Sequence, residues 1–250
     1  MDLHGNALVT GGSRGIGRAC ALTLASRGSD VAISYIENRD AAETTAEEIR
    51  AYGRRAVVLQ GDVADADANA ALVDRAVEEL GPLRYLVSNA ANGSFAAIDD
   101  LTVADWDYSM AAHSRALLTL SQRASLSMRE NGGGSIVAIS SLGARRVYEA
   151  YAAFGTAKAA IEALVRYLAV ELGPHGIRAN SVVGGVVLTD LFREIPDWRS
   201  IAAASAERAP LRTVLDPEDV AASVAFFLSE ASHRVTGQAL VVDAGFTLPG

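Results

Sequence analysis

The string Thr10-Gly11-Gly12-Ser13-Arg14-Gly15-Ile16-Gly17 follows a short apolar run, Ala7-Leu8-Val9, and opens a helical pattern. Glycines at 11, 15 and 17 permit a tight turn and let a pyrophosphate approach the backbone. A helix beginning near Ile16 then offers free N–H groups and the positive end of its dipole. Such a string alone is a weak signal; between a strand and a helix, at the start of a βαβ unit, it is a strong one. Dinucleotide binding by Gly11, Ser13, Arg14, Gly15, Ile16 and Gly17 is the expectation; a structural turn is the competing reading. Further on, Tyr151, Phe154 and Lys158 fall on one face of a helix at 3.6 residues per turn. A phenol there can donate a proton or bond an oxyanion, which a phenyl ring cannot.

The end of the second apolar run, Val31-Ala32-Ile33-Ser34-Tyr35, bears on the choice of dinucleotide. An acid there would bond a ribose 2′-hydroxyl, and a basic residue would favour a 2′-phosphate. Tyr35 stands at that end. Arg14 and Arg39 are both placed to reach a phosphate, while Glu37 between them pulls the other way. Arg39 reads equally as a solvated charge at a helix start. The balance favours NADPH over NADH.

These residues need a scaffold, and the chain supplies one in a regular rhythm. Apolar strand-like runs at 7–9, 31–35, 56–59, 85–87, 135–139, 177–182 and 239–242 alternate with helical patterns. The helices are expected at about 16–27, 40–52, 66–80, 103–129, 150–172 and 217–228. Short apolar strands separated by helices indicate a parallel sheet covered on both faces. Right-handed crossovers make it an α/β, doubly wound sheet of about seven strands. No Pro-, Gly- or Ser-rich linker divides the chain, so a single domain over 1–250 is expected.

Bulk properties narrow the classes of function. The chain has 250 residues, half of them hydrophobic, enough for a sizeable core. Its net charge of −8 argues against nucleic acid and anionic membranes as partners. No apolar stretch reaches the roughly 18 residues of a membrane span. The N-terminal segment runs into a strand rather than resembling a signal peptide. The lone Cys20 excludes an intrachain disulfide, and the four histidines show no metal-ligand spacing. A cytoplasmic protein without a metal is expected.

Taken together, these residues resemble the short-chain dehydrogenase/reductase family along almost the whole chain. The matching features are Thr10-Gly11 through Gly17, Asp62-Val63, Asn89-Ala90-Ala91, Ser140-Ser141, Lys158 and Thr189. The resemblance implies that Asp62 and Val63 hold an adenine and that Asn89 stabilises the loop under the cofactor. It also implies that Thr189 contacts the carboxamide end, that Lys158 holds the nicotinamide ribose, and that the protein is a homotetramer. Taken alone, Asp62 has a weaker competing reading as a turn former, and Asn89 as a strand-end cap.

Two departures shape the expected chemistry. The common family motif is Tyr, three residues, then Lys; here that place is Phe154, and the tyrosine is Tyr151, with six residues before Lys158. That spacing is similar to the enoyl-acyl carrier protein reductases, most of all type III. The runs 133–143 and 159–172 and the pair Gly184-Gly185 look like them as well. His113 stands where many members carry an Asn that braces the lysine through water; it is either such a brace or a helix residue facing a neighbouring chain.

The resemblance therefore implies NADPH-dependent reduction of the C=C bond of an enoyl thioester, linked to an acyl carrier protein or coenzyme A. Tyr151 would stabilise the enolate oxygen. Ser141 would bond the substrate oxygen or order its loop, and Tyr148 would contact substrate or pack at the rim. A mobile lid at about 188–212, carrying Leu191, Phe192, Ile195, Trp198 and Ile201, is expected to cover an acyl chain. Two rivals remain: a ketone- or imine-reducing member of the family, and a cofactor-binding protein without catalysis.

Overall fold

The structure, a computed structural model, describes residues 2–193 and 197–248. The chain opens with β1 (Asn6–Val9), α1 (Gly15–Ser26), β2 (Asp30–Tyr35), α2 (Arg39–Ala51) and β3 (Ala56–Gln60). It then crosses back through α3 (Ala66–Leu80) to β4 (Leu83–Ser88). Next come α4 (Val103–Met110), a π-helical turn (Ala111–Arg115), α5 (Ala116–Glu130) and β5 (Gly134–Ser141). The rest is α6 (Ala152–Leu172), β6 (Ile177–Gly184), α7 (Asp190–Arg193), α8 (Trp198–Arg208), α9 (Pro217–Leu228) and β7 (Ala239–Val242).

Among the described residues the strands form one seven-stranded sheet in the order β3-β2-β1-β4-β5-β6-β7, every pair parallel. A parallel sheet is stable only when both faces are covered, and β2 is buried along its entire length. Successive strand residues serve opposite faces. Val9, Val87 and Val137 pack with α1, α2 and α9, while Leu8, Leu86 and Ile136 pack with α3, α5 and α6. This is the expected doubly wound architecture.

Local chemistry sets the helix limits. Asp65 caps α3 by accepting from the N–H groups of Asp67 and Ala68, and Thr102 caps α4 through Asp105. A reciprocal capping box, Asp216 with Asp219, starts α9, with Pro217 in its first turn. The chain order reverses between β1 and β4, so a crevice opens beyond the carboxyl ends of these two strands.

Two elements differ from expectation. The helix expected over 150–172 begins at Ala152, with Tyr151 as its N-cap and Ala150 at φ +56°. The stretch expected over 103–129 is interrupted by a π-turn centred on His113. Segment 188–212 holds the short helices α7 and α8, with Phe192 edge-on to Trp198 at 6.5 Å. Ile201 is exposed. Ile195, expected in the lid, lies outside the described residues, as does the side chain of Leu191.

Candidate active site

The glycine-rich loop sits at the mouth of the crevice. Gly11 has φ +63°, and a Cβ there would come 3.0 Å from Ala90 Cα. A Cβ on Gly17 would lie 2.1 Å from the Gly11 carbonyl oxygen, so only glycine lets α1 pack this close to the turn. No described side chain caps the first turn of α1, and no acid lies in it. The helix therefore presents its N–H groups and dipole without competition, which fits a dinucleotide pyrophosphate.

Asn89 holds this loop from β4. Its Nδ2 donates to the carbonyls of Thr10 at 2.9 Å and Gly11 at 3.2 Å. Thr10 Oγ1 accepts in return from the N–H groups of Asn89 and Ala90, at 3.0 and 3.1 Å. From the other side, Ser34 Oγ accepts from Gly11 N at 3.2 Å. Ser34 was not expected in this role, and its type and position give no signal beyond a polar residue in an apolar strand.

Thr189 lies over the loop: a Cβ on Gly15 would meet its methyl group at 3.4 Å. Its hydroxyl accepts from Phe192 N at 3.1 Å, starting α7. A cleft of about 560 Å³ between loop, α2 and α7 is lined by Ser13, Arg14, Gly15, Thr45, Thr189 and Arg193, among others. Arg39 takes no part in it; its exposed side chain pairs with Glu43 at 3.6 Å. Beside β3, Asp62 accepts from Ala64 N at 2.8 Å and from the Tyr108 hydroxyl at 3.4 Å, and Val63 is buried.

The second half of the site is built by β5 and α6. The Tyr151 hydroxyl donates to Ser141 Oγ at 3.2 Å, and Gly143 N donates to the same oxygen at 3.2 Å. With both lone pairs engaged, Ser141 keeps its own proton to donate. Burial raises the Tyr151 pKa, the bond to Ser141 opposing it, so the phenol stays protonated at neutral pH.

Lys158 is buried, and its Nζ donates to the Ile139 carbonyl at 2.9 Å. Loss of hydration pushes its ammonium down to about 8. His113 Nδ1 lies 2.6 Å from the Ser109 carbonyl. A carbonyl only accepts, so Nδ1 carries the proton and Nε2 is an acceptor; Nε2 is buried and finds no partner among the described residues. Burial first, then the Lys158 charge, pushes His113 down to about 3, so the ring is neutral. His113 is 1% exposed, which makes it an interior residue here rather than one on the chain's surface.

Phe154 is packed away from hydrogen bonding altogether. Its ring stacks on Phe95 at 4.7 Å and 5°, meets the edge of His113 at 4.7 Å, and lies 5.3 Å from the Tyr151 ring. Phe95 stacks on Tyr151 as well, at 5.7 Å, and Ala96 bridges to Tyr151 through the backbone. Tyr148 stands edge-on to Tyr151 at 6.0 Å and is partly exposed. Phe95 was missed by sequence reasoning; an aromatic residue in a loop after a strand was the available signal.

A sheet in this order, with a glycine turn at its switch point and a tyrosine–serine–lysine group beside it, defines a dinucleotide-dependent oxidoreductase. Residues 11–247 match the family described as enoyl-(acyl carrier protein) reductase, and the chain belongs to the short-chain dehydrogenase/reductase family. It is 39% identical to a 1-cyclohexenylcarbonyl-CoA reductase of Streptomyces collinus, over 97% of this chain and 86% of that one. A 7 alpha-hydroxysteroid dehydrogenase solved with NADH and a 7-oxo bile acid superimposes with a TM-score of 0.93 at 33% identity, covering 98% of this chain and 95% of that chain. A short chain dehydrogenase of Burkholderia cenocepacia, solved with NADP, gives 0.91 at 36% identity, covering 98% and 99%. Among the described residues no helix is long and apolar enough to cross a membrane, and no group of His, Cys, Asp and Glu could hold a metal.

Proposed function

We propose that the protein reduces the C=C bond of an enoyl thioester, carried on coenzyme A or an acyl carrier protein, with NADPH as donor. One observation carries this reading. The phenol that reaches Ser141 comes from position 151, at the start of α6, while position 154 is an aromatic ring locked in a stack. The relative from Streptomyces collinus, named for reducing a CoA thioester, supports the same substrate class.

When bound, the reduced nicotinamide supplies a hydride to the β-carbon of the conjugated thioester. Negative charge then gathers on the thioester oxygen. Tyr151, protonated, turns its single proton from Ser141 to that oxygen; one such donor lowers the barrier by about 2.7–4 kcal/mol. Ser141 orients the phenol and has a proton to offer the same oxygen. Lys158 adds positive potential and would hold the ribose hydroxyls. The α-carbon takes its proton from solvent, giving the saturated thioester. Gly11, Ser13, Gly15, Ile16 and Gly17 hold the pyrophosphate, Asp62 and Val63 the adenine, and Thr189 the carboxamide. Arg14, exposed at the cleft, favours the 2′-phosphate against the opposing charge of Glu37, with Tyr35 rather than an acid ending β2.

The whole chain acts as one domain, and α7 with α8 covers the acyl group. Exposed Tyr167 and Val170 on α6, Leu118 and Leu126 on α5, and Leu240 on the edge strand β7 offer apolar surface for a homotetramer.

A second reading has an observation in its favour: the Tyr151–Ser141 pair could also serve a carbonyl oxygen. Tyr151→Phe and Phe154→Tyr, assayed on enoyl and β-keto thioesters, separate the two. Loss of enoyl reduction in the first supports the proposal. Full activity in the first, or keto reduction alone in the wild type, contradicts it.

A further inference from the structure

Glu162 lies on α6 one turn beyond Lys158 and is 8% exposed. Its Oε1 accepts from Ser140 Oγ at 2.9 Å. Its Oε2 accepts from Arg145 Nε at 2.9 Å and lies 2.8 Å from Arg145 Nη2. A buried carboxylate is costly unless paired and hydrogen-bonded, and here both oxygens are engaged.

The two partners are not random neighbours. Ser140 precedes Ser141, and Arg145 follows the tight turn 142–144. One carboxylate therefore ties both ends of the Ser141 loop to the helix that carries Tyr151 and Lys158. Between these ties the loop and helix are in close contact. A Cβ on Gly143 would come 2.3 Å from Tyr151 Cε1, and one on Gly155 would come 2.7 Å from the Gly143 carbonyl oxygen. A shift of the loop thus moves Ser141 relative to Tyr151, and displacement of a reacting group by about 1 Å can cost on the order of 10²-fold in rate.

We infer that Glu162, with Arg145 as its partner, is a positioning residue that sets the geometry between Ser141 and Tyr151 without touching substrate or cofactor. This rests on Tyr151 being the donor proposed above. None of the Glu162 contacts involves the glycine-rich loop or Lys158 itself, so the cofactor's direct contacts stay in place.

The test measures crotonyl-CoA reduction, NADPH affinity and thermal melting for Glu162→Ala, Glu162→Gln, Arg145→Met, Tyr151→Phe and the double variant Glu162→Ala/Tyr151→Phe. The inference predicts that kcat falls on the order of 10–100-fold in Glu162→Ala and Arg145→Met, with NADPH affinity within about twofold of wild type. Glu162→Gln, which keeps a partner for Ser140, recovers part of the loss. The double variant is no slower than Tyr151→Phe, because groups acting through one another are not additive. Arg145 is 45% exposed along its side chain, so its substitution decides the matter where Glu162→Ala does not fold. Unchanged kcat in the folded variants, or losses that multiply with Tyr151→Phe, would overturn the inference. Full activity in Tyr151→Phe would instead overturn the reading on which it rests.

Discussion

The Tyr151 hydroxyl lies 3.2 Å from Ser141 Oγ, although Tyr151 caps α6 rather than belonging to it. The position one turn inside the helix is taken by Phe154, sealed between Phe95 and His113. The phenol therefore approaches the substrate crevice from the helix start. Replacing Tyr151 by Phe should lower kcat/KM for an enoyl thioester on the order of 10²–10³-fold with NADPH affinity retained. Phe154→Tyr should not restore it in the double variant, because the ring at 154 faces its aromatic neighbours. Restoration would show that the two positions are equivalent.

Lys158 gives the pH dependence. Its ammonium is pushed down from 10.5 to about 8, and a lysine is cationic below its pKa. Activity should be steady near pH 7 and decline as pH rises through about 8, ahead of any ionisation of Tyr151, whose pKa is raised. The same shift costs stability wherever the lysine is charged. Its folded pKa lies below its unfolded one, so the cost is full below pH 8, fades between 8 and 10.5, and is absent above. The shift to about 8 is equivalent to about 3 kcal/mol, partly offset by the bond to Ile139. Lys158→Met should thus be inactive yet about 1–2 kcal/mol more stable at pH 7, measured by denaturant melts.

His113 is predicted to stay neutral across the working range, since burial and Lys158 push it down to about 3. Nitrogen NMR of the imidazole should show the Nδ1-protonated tautomer from pH 5 to pH 8, as the 2.6 Å contact to the Ser109 carbonyl requires. A titration midpoint near 6.5 would contradict this placement.

Cofactor preference tests Arg14. Arg14→Ala should weaken NADPH binding on the order of tenfold while leaving NADH binding within about twofold, as expected for loss of a charged hydrogen bond to phosphate. Arg39→Ala should change neither, because its partner is Glu43. A selective NADPH loss in Arg39→Ala would reverse the assignment.

The sheet and the phosphate loop were readable in the sequence because each strand is a short apolar run and each turn is marked by glycine, Asp or Asn. Lys158 and Ser141 were readable from their neighbours. The start of α6 was not: Tyr151 is no capping residue, and Ala150 adopts a left-handed conformation that its type does not advertise. The π-turn around His113 was invisible for a similar reason, since no residue type in Ala111–Arg115 marks a π-turn. Sequence gives the proximity of Arg39 to the phosphate loop along the chain; its direction, toward Glu43, came only with the fold. Glu162 went unnoticed although it shares the face of Lys158; its partners are 17 and 22 residues away, and only the fold brings them together.

The most direct test of the account is NADPH oxidation by the wild-type protein with crotonyl-CoA and acetoacetyl-CoA side by side, extended to cyclohexenylcarbonyl-CoA. Reduction of the enoyl thioesters, with product mass increased by two hydrogens and little turnover of the keto thioester, is the predicted result. Turnover of the keto thioester alone would contradict it.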